Sequence, residues 1–234
     1  MNTSLETIEI ETALHPTAAV IWLHGLGADA NDFVPLVPEL DLRDSAGKPL
    51  AIRFVFPNAP VMPVTINGGM RMRAWYDILH FDLGGAGDDS GVPREDEAGL
   101  RASHAAVDSL VAKEIARGIP ASRIVLAGFS QGAAVALLAG LRHRERLAGL
   151  LVLSGYLPLA AMTAAERHAA NADVAIFMAH GTQDPVVRLA RAIASRDALI
   201  ALGYAIEWHA YPMPHSVCPE EVVAIAAFLR RVLA

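Results

Sequence analysis

Apolar and polar positions along the chain fall into short blocks of two kinds. Thr7-Ile8-Glu9-Ile10-Glu11 alternates with period two and predicts a half-exposed strand. Ala18-Ala19-Val20-Ile21-Trp22-Leu23 is continuously apolar, as a strand buried on both faces is. Ile52 to Phe56 is a third strand, stopped by Pro57-Asn58-Ala59-Pro60. Between 94 and 117, Leu100, Ala105, Val107, Val111 and Ile115 recur at helical spacing, and Gly118 and Pro120 end the helix. The pattern continues as strand 123–128, helix 131–142, strand 147–153, a short helix at 161–170, strand 174–179, helix 186–202 and strand 206–211. The last element is a helix over 219–233, with Pro219 at its start and Glu220 and Glu221 in its first turn, both favoured there.

Strands alternating with helices predict an α/β fold, with a mostly parallel central sheet covered by helices on both faces. No break in composition and no repeat divides the 234 residues, so a single domain over 1–234 is expected. The composition, 53% hydrophobic and 19% charged, suits a large core. The net charge of −6, with Lys and Arg scattered, argues against nucleic acid as a partner. No apolar run approaches the length of a membrane span, so no stable membrane insertion is expected. Residues 1–14 carry acids and alternation in place of a secretory pattern, and Cys218 is the lone cysteine. Both point to the cytoplasm. Residues 84–91, Gly-Gly-Ala-Gly-Asp-Asp-Ser-Gly, lack the apolar surface to offset ordering entropy. A surface loop is the leading reading there and a flap the other.

The chemistry begins at Gly128-Phe129-Ser130-Gln131-Gly132, which joins the apolar strand before it to the apolar helix after it. A serine on so sharp a turn presents its hydroxyl, and glycines two residues either side avoid collision with neighbouring backbone. This is the nucleophile-elbow pattern.

Serine needs a base to take its proton, and the base needs an acid to orient it. In this strand–turn–helix context the chain order is serine, acid, histidine. Asp184 lies in a loop at the carboxyl end of a buried strand, where ligands collect in open α/β sheets. Asp173 stands at the opposite end of that strand and Asp197 in the following helix, so Asp184 is the candidate acid. Five histidines follow Ser130. His143 sits among Arg142, Arg144 and Arg146 on what reads as an exposed cationic surface. His168 falls in a short polar helix, His180 at a strand end suited to packing or loop hydrogen bonds, and His209 inside a strand. His215 follows the last strand in a loop stiffened by Pro212 and Pro214, and is the candidate base.

The developing oxyanion needs preorganised N–H donors. One is the backbone N–H of Gln131, at a helix N-terminus whose dipole favours negative charge. The other belongs to the loop after an early strand. His24-Gly25-Leu26-Gly27 has that position and composition, with Leu26 as candidate donor and its side chain free to line an acyl pocket.

Taken together, these segments resemble the acyl-protein thioesterase, lysophospholipase and carboxylesterase group of small α/β-hydrolases. The match runs through Trp22 to Gly27, Pro57 to Val61 with Pro63-Val64-Thr65, Arg73 to Asp77, Gly128 to Gly132, Ser154 to Leu159 and His180 to Val186, nearly the whole chain. Gly155-Tyr156 stands where eukaryotic thioesterases often have Cys-Trp, a feature that looks more like the bacterial carboxylesterases of the group. The resemblance implies the triad Ser130, Asp184 and His215, oxyanion donors at Leu26 and Gln131, and an acyl site lined by Leu26, Trp75 and Val187. It implies a small acyl ester or thioester as substrate, and it extends to a homodimer, since members of the group can pair.

The resulting expectation is a serine hydrolase that forms and hydrolyses an acyl-enzyme without cofactor; no Cys/His cluster has metal-ligand spacing. A peptidase or lactone hydrolase on the same fold is the runner-up, and a non-catalytic ligand-binding protein the reading from another class. Cys218 is expected to be a bystander, because the elbow already holds Ser130.

Overall fold

The computed structural model describes residues 5–80 and 95–234, so residues 84–91 lie outside the described residues. Nine strands are described. Those of the main sheet are β1 (Thr7–Glu11), β2 (Ala18–Leu23), β3 (Ile52–Pro57), β6 (Ile124–Phe129), β7 (Gly149–Leu153), β8 (Ile176–Gly181) and β9 (Ile206–Tyr211). Their order in space is β1-β3-β2-β6-β7-β8-β9. Only β1 runs antiparallel, in register Thr7↔Pro57 to Glu11↔Arg53; every other pair is parallel.

The five central strands are buried along both faces, which is why they read as unbroken apolar runs. Alternate residues serve opposite cores. Ile21 and Leu23 face one cluster with Leu126 and Val152, while Val20 and Trp22 face the other with Val125 and Leu151. The first core is covered by α1 (Glu97–Ala116), α2 (Gln131–Arg142) and α4 (Leu189–Ala201). The second is covered by α5 (Pro219–Leu233) and a 3-10 helix at Val34–Glu39. Every residue of α2 is buried, so it can be apolar all round.

The structure departs from the sequence pattern in four places. A small hairpin of β4 (Val61–Val64) and β5 (Met70–Arg73) and the 3-10 helix at 34–39 were not anticipated. The helix expected at 161–170 splits into α3 (Ala160–Glu166) and one 3-10 turn at Ala169–Asn171, because Arg167 turns extended. His168 lies between them, exposed, its ring accepting from the N–H of Ala170. Finally, His143 is not on an exposed cationic surface. It is half-buried and meets Asp108 of α1 at 2.9 Å, while Arg142 is buried against Glu166 at 2.8 Å. The carboxylates that neutralise this cluster come from elements distant in sequence.

Candidate active site

Parallel strands place their carboxyl ends along one edge of the sheet. The loops after β2, β6, β8 and β9 therefore converge there, bringing together His24 to Gly27, Ser130, Asp184 and His215.

Ser130 has φ 54° and ψ −118°, a backbone state that L-residues rarely adopt. The turn is held from both sides. The Ser130 N–H donates to the carbonyl of Leu153 at 2.8 Å, and its carbonyl accepts from Ala134 at 3.2 Å. A methyl group at Gly128 would come within 2.4 Å of the Gly132 backbone, and one at Gly132 within 2.3 Å of the Leu23 carbonyl. The elbow closes only because both positions lack a side chain.

The Asp184 side chain is fully buried. Its Oδ1 accepts from the N–H groups of Val186 and Val187 at 2.8 and 2.9 Å. Its Oδ2 accepts from His215 Nδ1 at 2.6 Å. His180, 1% exposed, adds a further contact: its Nε2 lies 2.7 Å from the Val187 carbonyl and 3.4 Å from Asp184 Oδ2. Nε2 must carry the proton to donate to a carbonyl. Burial lowers the His180 pKa, which favours that neutral form.

Because Asp184 fixes the proton of His215 on Nδ1, Nε2 is left as the acceptor. The loop bearing His215 reaches Asp184 over Gly181, where a methyl group would come within 2.4 Å of the carbonyls of Met213 and Pro214. The His215 ring lies 4.7 Å from the ring of Phe129, the residue before the serine. Among the described residues the Ser130 hydroxyl makes no hydrogen bond. Such bonds commonly tighten only once substrate is in place.

The loop after β2 packs directly on the elbow: a methyl group at Gly25 would sit 3.5 Å from Ser130 Cβ. The loop is pinned by His24, whose Nε2 accepts from Ala59 at 3.1 Å, so its Nδ1–H donates to Gly25 O at 2.7 Å. Burial holds the His24 pKa down and keeps this ring neutral. Among the described residues the Leu26 N–H has no hydrogen-bond partner, and the Gln131 N–H, first in α2, has none within the helix.

The Gln131 side chain has a second task that the motif did not announce. Its Oε1 accepts from the Trp75 N–H at 2.8 Å and its Nε2 donates to the Tyr76 carbonyl at 2.7 Å. Trp75 Nε1 in turn donates to the His24 carbonyl at 2.9 Å. Gln131, Trp75 and His24 thus tie the helix, the 74–76 segment and the loop after β2 together.

An open cleft of about 400 Å³ adjoins His215. Its walls are Phe33, Leu36, Phe129 and Val217, and Asp32 also lines it. Leu26, Trp75 and Val187, expected around an acyl site, do not line this cleft. Leu26 is half-buried beside the elbow, whereas Trp75 and Val187 are 2% and 8% exposed and belong to the buried core. Cys218 is half-buried at the start of α5, and burial pushes its thiol pKa up. His209 stacks on Phe177 at 4.8 Å and pairs with Glu207. Among the described residues no group of three His, Cys, Asp or Glu side chains could hold a metal ion, and no helix is long and apolar enough to cross a membrane.

The family model described as phospholipase/carboxylesterase matches residues 5–233. The chain is 42% identical to the acyl-protein thioesterase 1 of Neurospora crassa, over 91% of this chain and 86% of that protein. It is 40% identical to the acyl-protein thioesterase 1 of Mycosarcoma maydis, over 98% of each. The crystal structure of Zea mays acyl-protein thioesterase 2 superposes with a TM-score of 0.79 at 27% identity, covering 98% of this chain and 99% of that one.

Proposed function

The chain belongs to the phospholipase/carboxylesterase family of α/β-hydrolases, and from that membership we propose that Ser130, His215 and Asp184 hydrolyse small carboxylic esters and acyl thioesters through an acyl-enzyme. The observation that carries this reading is the 2.6 Å bond from His215 Nδ1 to the buried Asp184 carboxylate, on a loop whose histidine packs beside the Ser130 elbow.

In this reading His215 Nε2 takes the Ser130 proton as Oγ attacks the acyl carbonyl. The oxyanion is met by the N–H groups of Leu26 and Gln131. His215 then delivers its proton to the leaving alcohol or thiol, and the acyl group stays on Ser130. Water, deprotonated by His215, attacks the acyl carbonyl; the tetrahedral species collapses, and the proton returns to Ser130 Oγ. Asp184 stabilises the imidazolium formed in each half-reaction without taking its proton. His180 supports Asp184 from behind, and Gln131 holds the oxyanion loop through Trp75. Leu26 lines the acyl site, and Trp75 and Val187 back it. The single cysteine suits a cytoplasmic site of action.

A series of p-nitrophenyl esters and matched acyl thioesters, assayed with Ser130→Ala alongside, tests the reading. Turnover should fall at least ~10⁴-fold in the variant, with the fold intact. Turnover by Ser130→Ala close to that of the parent chain would overturn it.

A further inference from the structure

His215 does more than activate Ser130; in acyl transfer it also protonates the departing group. The space beside it is therefore where that group leaves. The cleft lies there, bounded by His215 and by walls that exclude the oxyanion loop residues Leu26 and Gly27. At about 400 Å³ it is large enough for a small organic group.

Among the described residues its lining is apolar apart from His215, the Ser216 hydroxyl and one carboxylate. Asp32 is exposed, and among the described residues its side chain makes no hydrogen bond and no ion pair. Partial burial pushes its carboxyl above the ordinary value, an effect that His24 opposes and the second negative charge of Asp29 reinforces. Among the described residues no lysine or arginine lines the cleft. In the same lining, Phe33 and Phe129 pack with ring centroids 5.6 Å apart, and Phe129 continues to His215 at 4.7 Å. A carboxylate that shares a cleft with aromatic rings favours a weakly hydrated cation, since the faces of such rings attract positive charge as well.

We propose that this cleft receives the leaving alcohol or thiol and that Asp32, with Phe33 and Phe129, selects one bearing an ammonium group. The proposal rests on the esterase reading above and names its substrate class: acyl esters or thioesters with a cationic leaving group. The acyl chain takes the other side of Ser130, towards Leu26.

The test compares hexanoylthiocholine with S-(3,3-dimethylbutyl) thiohexanoate, which share the acyl group and differ chiefly in the charge of the leaving thiol, with p-nitrophenyl hexanoate as a third substrate. At low salt the parent chain should favour the charged thioester in kcat/KM by about 5- to 30-fold. The preference should shrink as salt screens an exposed carboxylate. It should collapse towards one in Asp32→Asn and invert in Asp32→Lys. Equal turnover of the two thioesters, or a preference that survives Asp32→Asn, would overturn the assignment while Ser130-dependent p-nitrophenyl ester hydrolysis still upheld the esterase reading. Loss of Ser130-dependent turnover on all three substrates would overturn both.

Discussion

His215 donates from Nδ1 to Oδ2 of Asp184 at 2.6 Å, and the other oxygen of the same carboxylate is occupied by two backbone N–H groups. Asp184 is thus committed on both sides, and the tautomer of His215 follows from that. Asp184→Asn presents an amide that can donate to Nδ1, so the ring's proton shifts to Nε2, where it cannot accept from Ser130. We expect kcat to fall ~10³- to 10⁴-fold with little change in thermal stability. Steady-state kinetics alongside a melting curve decides it; a loss below tenfold would detach Asp184 from the reaction.

Gly181, the last residue of β8, sets the distance between the strand that leads to Asp184 and the loop bearing His215. A methyl group there meets two carbonyls at 2.4 Å, so the backbone must shift. Displacements of this order at a reacting geometry cost about 10²-fold. Gly181→Ala should lower kcat by roughly that factor while the chain still folds, as circular dichroism can establish.

Gln131 links the helix after the serine to Trp75 and Tyr76. In Gln131→Leu the Trp75 N–H and the Tyr76 carbonyl lose their partners while buried. Each orphaned group costs about 1–3 kcal/mol, so chemical denaturation should show the chain destabilised by a few kcal/mol. The Leu26 loop, tied through Trp75 Nε1, should loosen and lower kcat with it.

Glu221, fully buried at the start of α5, has its carboxyl pushed up to about 7 by desolvation, which the Cys218 backbone N–H only partly opposes. A carboxyl with a raised folded-state pKa carries no penalty below its ordinary value. It destabilises the fold progressively between about 4.5 and 7, and by a constant amount above that. Glu221→Gln should therefore gain stability over the parent chain across that window, on the order of 3 kcal/mol by pH 8. Parallel thermal melts from pH 4 to 9 test this; curves that stay parallel would contradict it.

Much of the fold was legible because buried parallel strands announce themselves. Ala18 to Leu23 and the stretch around Val125 to Ala127 are apolar on both faces, and the motif Gly128 to Gly132 marks a strand–turn–helix junction by its glycines. The β4–β5 hairpin was not legible: it is short, largely exposed and carries Pro63, so it has neither buried run nor clean alternation. The helix at 131–142 was legible in full, since Gln131 and Arg142 flank an uninterrupted apolar stretch from Gly132 to Leu141.

The site divides the same way. Ser130, Asp184 and His215 can be chosen by chain order and by their place after strands. The bonds of Gln131 to Trp75 and Tyr76, the approach of His180 to Asp184 and the clearance at Gly181 join elements far apart in sequence. Only packing creates them. The same holds for His143, whose partner Asp108 lies 35 residues away on another helix. The cleft beside His215 draws Phe33 and Leu36 from the start of the 3-10 helix at Val34–Glu39 and Val217 from the loop before α5, so no local pattern marks it.

The central claim is that Ser130 carries the acyl group. The most direct measurement is intact-mass and peptide mapping after reaction with a fluorophosphonate. The account predicts a single adduct on the peptide containing Ser130, lost in Ser130→Ala and slowed severely in His215→Ala. An adduct on another residue such as Cys218, or none at all in the folded parent chain, would contradict it.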